Sequence, residues 1–147
     1  MLIARALAKD PDVLLLDEFA EGLDQEARGG LWEMLASSAM ATKAIVLTTH
    51  RDAPLLEGWQ ALDVEPMASG ASKSGSVSMR KVESDEVLVH ATGDLYLESQ
   101  LLIQDLDWRL LHGQHTSVLG GNGSGKTSFL RMLWGELHLK VGGQVKE

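Results

Sequence analysis

The sequence contains no cysteine. Disulfides, thiolate-held metals and a thiol nucleophile are therefore excluded. No apolar run approaches the roughly 18 residues of a membrane-spanning helix, and no secretory leader is visible at the N-terminus. These absences predict a soluble, cytoplasmic protein that meets a membrane only through a partner. An excess of basic residues is also missing. The net charge is −8, and residues 1–65 carry twelve Asp/Glu against five Lys/Arg. Broad nucleic-acid binding needs basic patches to displace counterions, so there is no direct nucleic-acid signal. What remains is 147 residues, 44% apolar and 23% charged, enough for an ordinary globular domain with a real core.

The strongest positive signal lies near the C-terminus. Gly120, Gly121, Asn122, Gly123, Ser124, Gly125, Lys126 and Thr127 read G-x-x-x-x-G-K-T. Strand formers at 115–119 precede them and a helix-like run at 128–134 follows. Strand, glycine loop and helix in this order make a phosphate-binding loop, or Walker A motif. Without side chains, the backbone N–H groups can wrap phosphates, and the helix N-terminus adds its partial positive charge. Lys126 is expected to reach the β- and γ-phosphates, Thr127 to offer its hydroxyl to Mg²⁺, and Ser128 to complete the nucleotide-binding set.

The chain divides by composition. Residues 1–9 favour helix and stop at Asp10-Pro11. A helix that opens at the chain start with no cap residue suggests an internal or truncated start. The unbroken aliphatic run at 13–16 predicts a parallel strand buried on both faces. Asp24 is placed to cap the next helix, with Glu26 near its positive end and Leu31, Met34 and Leu35 as its apolar stripe. Residues 44–49 predict a second buried strand, Asp52-Ala53-Pro54 a helix start, and residues 61–65 a short strand. Residues 66–86, small and polar at their start, read as a flexible linker. Beyond it, Leu106, Trp108 and Leu110 alternate with Asp107 and Arg109, the pattern of a half-buried strand. The chain then turns at His112-Gly113.

Asp17 and Glu18 end the first aliphatic strand. Ligands of open α/β sheets sit beyond the carboxyl ends of strands. An Asp there can hold Mg²⁺, and a neighbouring Glu can orient or deprotonate an attacking water. His50 ends the second strand and can hydrogen-bond a γ-phosphate or that water. His90, His112, His115 and His138 have no ligand-like partners and read as structural.

Together these residues resemble the ATP-binding cassette (ABC) family. Residues 2–7 look like the helix after its signature motif, 13–18 its Walker B strand with the catalytic Glu18, Gly22-Leu23-Asp24 its D-loop, and Thr48-Thr49-His50 its switch histidine. Two positions depart from the usual pattern: Phe19 and Gly121 stand where the family has Pro. No signature motif is present; Val141-Gly142-Gly143-Gln144 mimics one but reads as a turn before a strand. The resemblance implies an incomplete α/β P-loop NTPase fold, a mostly parallel sheet with flanking helices plus an antiparallel β segment before Walker A. It implies ATP and Mg²⁺ as ligands, Glu18 and His50 as catalytic residues, and Thr127 and Asp17 as metal ligands. Tyr96 is the candidate aromatic for the adenine. The implied partners are a second cassette and, in transport, a membrane permease.

The motif order is reversed relative to a cassette, in which Walker A comes first. One explanation is that residues 1–65 are the end of a first cassette and 87–147 the start of a second, as in the tandem ModF and photorepair-like group. Each half then holds an incomplete site. The alternative is that the strands ending at Asp17, His50 and the glycine loop assemble into one permuted sheet. An interaction module without turnover is the competing function, and a small-molecule kinase a more distant one.

Overall fold

The computed structural model describes residues 2–50, 58–64, 77–78, 86–141 and 144–145. Helix α1 (Leu2–Leu7) leads into strand β1 (Val13–Asp17). Helix α2 (Gln25–Ala36) and a 3-10 turn (Ser38–Met40) connect to β2 (Ala44–Thr49), followed by β3 (Gln60–Asp63) and β4 (Val77–Ser78). A long hairpin of β5 (Val87–Leu97) and β6 (Gln100–Leu111) precedes β7 (His115–Leu119), α3 (Lys126–Leu133), β8 (Leu139–Val141) and β9 (Gln144–Val145). The linker stretch 66–86 lies outside the described residues except for β4 and Glu86, as does the helix start at Asp52-Ala53-Pro54.

The strands form two sheets. The first has the order β1-β2-β7-β3-β4, with β1, β2, β7 and β3 parallel and β4 antiparallel at its edge. The second is antiparallel, in the order β6-β5-β8-β9. Strand β7 thus inserts between β2 and β3, and residues from both ends of the chain share one sheet.

The two-residue period of β2 explains how that sheet is covered. Ala44 and Val46 enter a core with Leu62, Val118, Trp108, Leu110, Phe129 and Leu130, between the parallel sheet, α3 and the β5–β6 hairpin. Ile45 and Leu47 point the other way, into a core with Leu14, Leu16, Leu35 and Met40 beneath α2. A strand buried on both faces must be aliphatic throughout, which is why 44–47 read as they do; on β1, Leu14 and Leu16 are buried while Val13 and Leu15 are half-buried. Trp108 and Phe129 meet edge to face at 5.1 Å, locking α3 onto the hairpin.

Local signals agree with the elements. The Asp24 carboxylate accepts from the Ala27 N–H at 2.8 Å and caps α2. In β6 the residues Leu106, Trp108 and Leu110 are buried while Asp107 and Arg109 are exposed. Lys43 ties the β2 entrance to Asp10 at 2.5 Å, and its hydrogen bond and charge hold the exposed Asp10 carboxyl below its usual pKa.

Candidate functional site

Parallel strands direct their carboxyl ends to one edge of the sheet, and here that edge carries the motifs. The register sets Asp17 beside Thr48 on β1 and β2, and Thr49 beside Leu119 on β2 and β7. Asp17, Glu18, His50 and the loop after Leu119 therefore emerge side by side.

The loop is shaped by close backbone approach. A Cβ on Gly120 would stand 2.5 Å from the Val64 carbonyl oxygen, so only glycine fits there. Gly125 adopts φ 102 at the N-cap of α3, a left-handed geometry natural to glycine. It gives no side-chain cap, which leaves the first N–H groups of the helix for an anion. Asn122, Gly123, Ser124, Gly125, Lys126, Thr127 and Ser128 line a cavity of about 400 Å³ with Glu18, Leu97, Gln100 and Leu102. Tyr96 stands on β5 outside that lining, half-buried and paired in register with Leu101. Asp24 lies at the α2 cap rather than among these residues.

Lys126 is almost wholly buried. Its ammonium donates to the Gly120 and Gly121 carbonyls, both at 2.9 Å, and pairs with Glu18 Oε1 at 3.1 Å. Those three acceptors match the three ammonium donors. Thr127 Oγ1 donates to Asp17 Oδ1 at 3.3 Å, across 110 residues of sequence. These two hard oxygen donors lie about as far apart as neighbouring ligands of a Mg²⁺ ion with ~2.1 Å bonds, so the donor set suits that ion.

Thr48, counted at the sequence level only as part of the strand before His50, organises the acidic end. Its hydroxyl donates to Asp17 Oδ1 at 2.6 Å and accepts from the Glu18 N–H at 2.9 Å. Glu18 itself has φ 44, an uncommon conformation for a side-chain-bearing residue. The Thr48 bond helps hold that turn, which points the carboxylate back to Lys126.

A second cavity, of about 250 Å³, opens on the other side of Glu18, between Phe19, Glu21, Arg28, Trp32, Thr49 and His50. His50 Nε2 lies 2.5 Å from Glu21 Oε1. Glu21, the residue before Gly22-Leu23-Asp24, follows Glu18 in a tight turn, Glu21 N–H to Glu18 carbonyl at 3.0 Å. That i, i+3 spacing is the signal that would have grouped it with Glu18. Beneath the loop, His115 packs on Trp59 at 4.9 Å. Burial pushes its pKa below the ordinary imidazole value, against a smaller upward pull from the Gln114 backbone.

Comparison with known proteins agrees with this geometry. Residues 103–146 match the ABC transporter family. A 50-residue stretch is 52% identical to the Nod factor export ATP-binding protein I of Cupriavidus metallidurans, covering 34% of this chain and 16% of the relative. The protein of the same name from Burkholderia pseudomallei is 54% identical over 50 residues, and that from Paraburkholderia xenovorans 52%, with the same coverage. The chain spans 16% of the length of these relatives. No solved structure matches. The fold is an α/β P-loop NTPase fold, a mostly parallel sheet with flanking helices joined to an antiparallel β segment ahead of the phosphate-binding loop.

Proposed function

We propose that this chain binds ATP with Mg²⁺ at the glycine loop and supplies the acidic residues for its hydrolysis, as part of an ABC-type ATPase. One observation carries the reading. Thr127 and Lys126 lie 3.3 Å and 3.1 Å from Asp17 and Glu18, so two motifs at opposite ends of the chain meet in one site.

The contacts of Lys126, Thr127, Asp17 and Glu18 support their roles, whereas that of His50, which borders the neighbouring cavity beside Glu21, rests on the family resemblance. Backbone N–H groups at 120–127 and the α3 N-terminus cradle the phosphates. On nucleotide entry, Lys126 exchanges the Glu18 carboxylate for phosphate oxygens. Glu18, so released, accepts the proton of a water whose oxygen attacks the γ-phosphorus, while the bond from that phosphorus to the ADP oxygen breaks. His50 hydrogen-bonds the γ-phosphate or that water. Thr127 and Asp17 would hold Mg²⁺, which supplies charge neutralisation of the phosphates when bound.

The finer reading rests on motif order. Residues 1–65 and 87–147 correspond to the end of one cassette and the start of the next, and the shared sheet is their mutual completion. The reversed order, with His50-Arg51-Asp52-Ala53-Pro54 and Asp105-Leu106-Asp107-Trp108, which resemble that group, supports the tandem ModF and photorepair-like reading. The relatives are named as export ATP-binding proteins, which supports a role for the whole protein in export, with a membrane permease as the partner the family resemblance implies. Among the described residues no helix is long and apolar enough to cross a membrane.

A nucleotide titration of the wild-type chain against Lys126→Ala tests the reading. A loss of affinity of about 100-fold is expected, and equal affinities sink it. Steady-state phosphate release against Glu18→Gln then separates hydrolysis from a non-catalytic interaction module, which releases none above that control. Transfer of phosphate to an acceptor other than water would instead mark a kinase.

A further inference from the structure

We propose that Glu18, Glu21 and His50 form a binding site for a borderline divalent transition-metal ion such as Zn²⁺, separate from the Thr127–Asp17 pair. Each side chain offers one ligand atom, and the three atoms lie within 4.8 Å of one another. They come from the end of β1, the turn after it and the end of β2, and they border one cavity of about 250 Å³ that leaves room for a water as fourth ligand.

The chemistry of the set selects the ion. Two carboxylates neutralise a divalent charge, and the imidazole nitrogen favours Zn²⁺ over the all-oxygen, strongly hydrated Mg²⁺. Ligand atoms around Zn²⁺ sit ~2.0–2.2 Å from the metal, or about 3.3 Å from each other. His50 Nε2 and Glu21 Oε1, now 2.5 Å apart, must separate slightly, and the other donors, all within 4.8 Å of one another, must draw together. The side chains of Glu21 and His50 are 53% and 43% exposed, so small rotations suffice for both. The third donor, Glu18, is fixed in backbone position by the Thr48 hydrogen bond at 2.9 Å.

Glu18 also gives the site a consequence. The same carboxylate pairs with Lys126 at 3.1 Å, so an ion at Glu18, Glu21 and His50 draws it away from the glycine loop. The metal and the Glu18–Lys126 pair then compete for one group. This inference does not require that the loop bind ATP.

The test is a calorimetric titration of the nucleotide-free chain with Zn²⁺ in a non-chelating buffer at neutral pH. One saturable site is expected, with affinity reduced about tenfold or more in Glu21→Gln and in His50→Gln, since even the supporting partners of metal ligands act on that scale. Circular dichroism confirms that both variants fold. His90→Gln is the control: its Nε2 lies 3.0 Å from Asp107 Oδ1, an isolated pair on the β5–β6 hairpin, and its loss should leave the titration unchanged. Millimolar Mg²⁺ should not displace the Zn²⁺. The proposal is overturned by the absence of saturable binding, by equal affinities in wild type and Glu21→Gln, by loss in His90→Gln, or by displacement with Mg²⁺.

Discussion

Replacing Thr48 by valine removes one hydroxyl and keeps the shape of the side chain. Thr48 is 1% exposed in the middle of the parallel sheet, so the cost appears as lost hydrogen bonding rather than lost packing. Two bonds go: the donation to Asp17 at 2.6 Å and the acceptance from the Glu18 N–H at 2.9 Å. Hydrogen bonds to charged groups contribute ~1.5–3 kcal/mol and neutral ones ~1 kcal/mol. Asp17 is exposed and can turn to water, which brings its share toward the neutral value. The Glu18 N–H is partly buried at a strained φ of 44 and has less recourse to solvent. Thr48→Val should therefore cost about 2 kcal/mol, a fall of roughly 1 M in the urea midpoint for a chain of this size. Thr49→Val, at the next position of the strand, should cost under ~0.5 kcal/mol. Equilibrium urea unfolding followed by circular dichroism reads both values. A Thr48→Val midpoint within error of wild type would refute the claim that this hydroxyl organises Asp17 and Glu18.

Other substitutions test separate parts of the account. Gly120→Ala sets a methyl 2.5 Å from the Val64 carbonyl and should cost ~1–3 kcal/mol in urea unfolding and disrupt nucleotide binding, whereas an added methyl on Gly121 meets nothing within 4 Å and Gly121→Ala should be neutral in both assays. Phe129 is fully buried against Trp108, so Phe129→Ala should cost about 3–5 kcal/mol by the same unfolding assay. His115 has a folded-state pKa below the unfolded value of about 6.5, so its contribution to stability is complete above that pH and is lost as pH falls below it, where the unfolded chain takes up a proton that the folded one resists. Unfolding free energies measured at pH 7.5 and 5.5 should show a smaller drop for His115→Gln than for wild type.

The local elements were legible because single residues carry their signals. The aliphatic run at 13–16 reads as a buried strand; it is parallel to β2, with Leu14 and Leu16 buried and Val13 and Leu15 half-buried at the sheet edge. Asp24 reads as a cap and caps α2, and the alternation through Leu106, Trp108 and Leu110 gives the buried face of β6. The helix after the glycine loop starts at Lys126, earlier than its apolar pattern shows, because the first turn is built from the motif itself. The non-local arrangement was legible only as an alternative. The insertion of β7 between β2 and β3 pairs Val46 with Thr116, a contact that no local spacing encodes. The role of Thr48 depends on the β1–β2 register, which a one-residue shift would abolish. Leu97, rather than Tyr96, lines the loop cavity, and irregular pairing on either side of Leu95 explains why strand alternation could not assign the facing residue.

In the proposed site, residues from opposite ends of the chain act on one nucleotide, with Asp17 and Thr127 holding Mg²⁺ beside the phosphates bound at 120–127. The direct measurement is ATP affinity with and without Mg²⁺, in wild type and in Asp17→Asn. Mg²⁺ should tighten binding by about tenfold in wild type, equivalent to ~1.4 kcal/mol, and should have little effect in Asp17→Asn. Equal Mg²⁺ dependence in the two proteins would contradict the account.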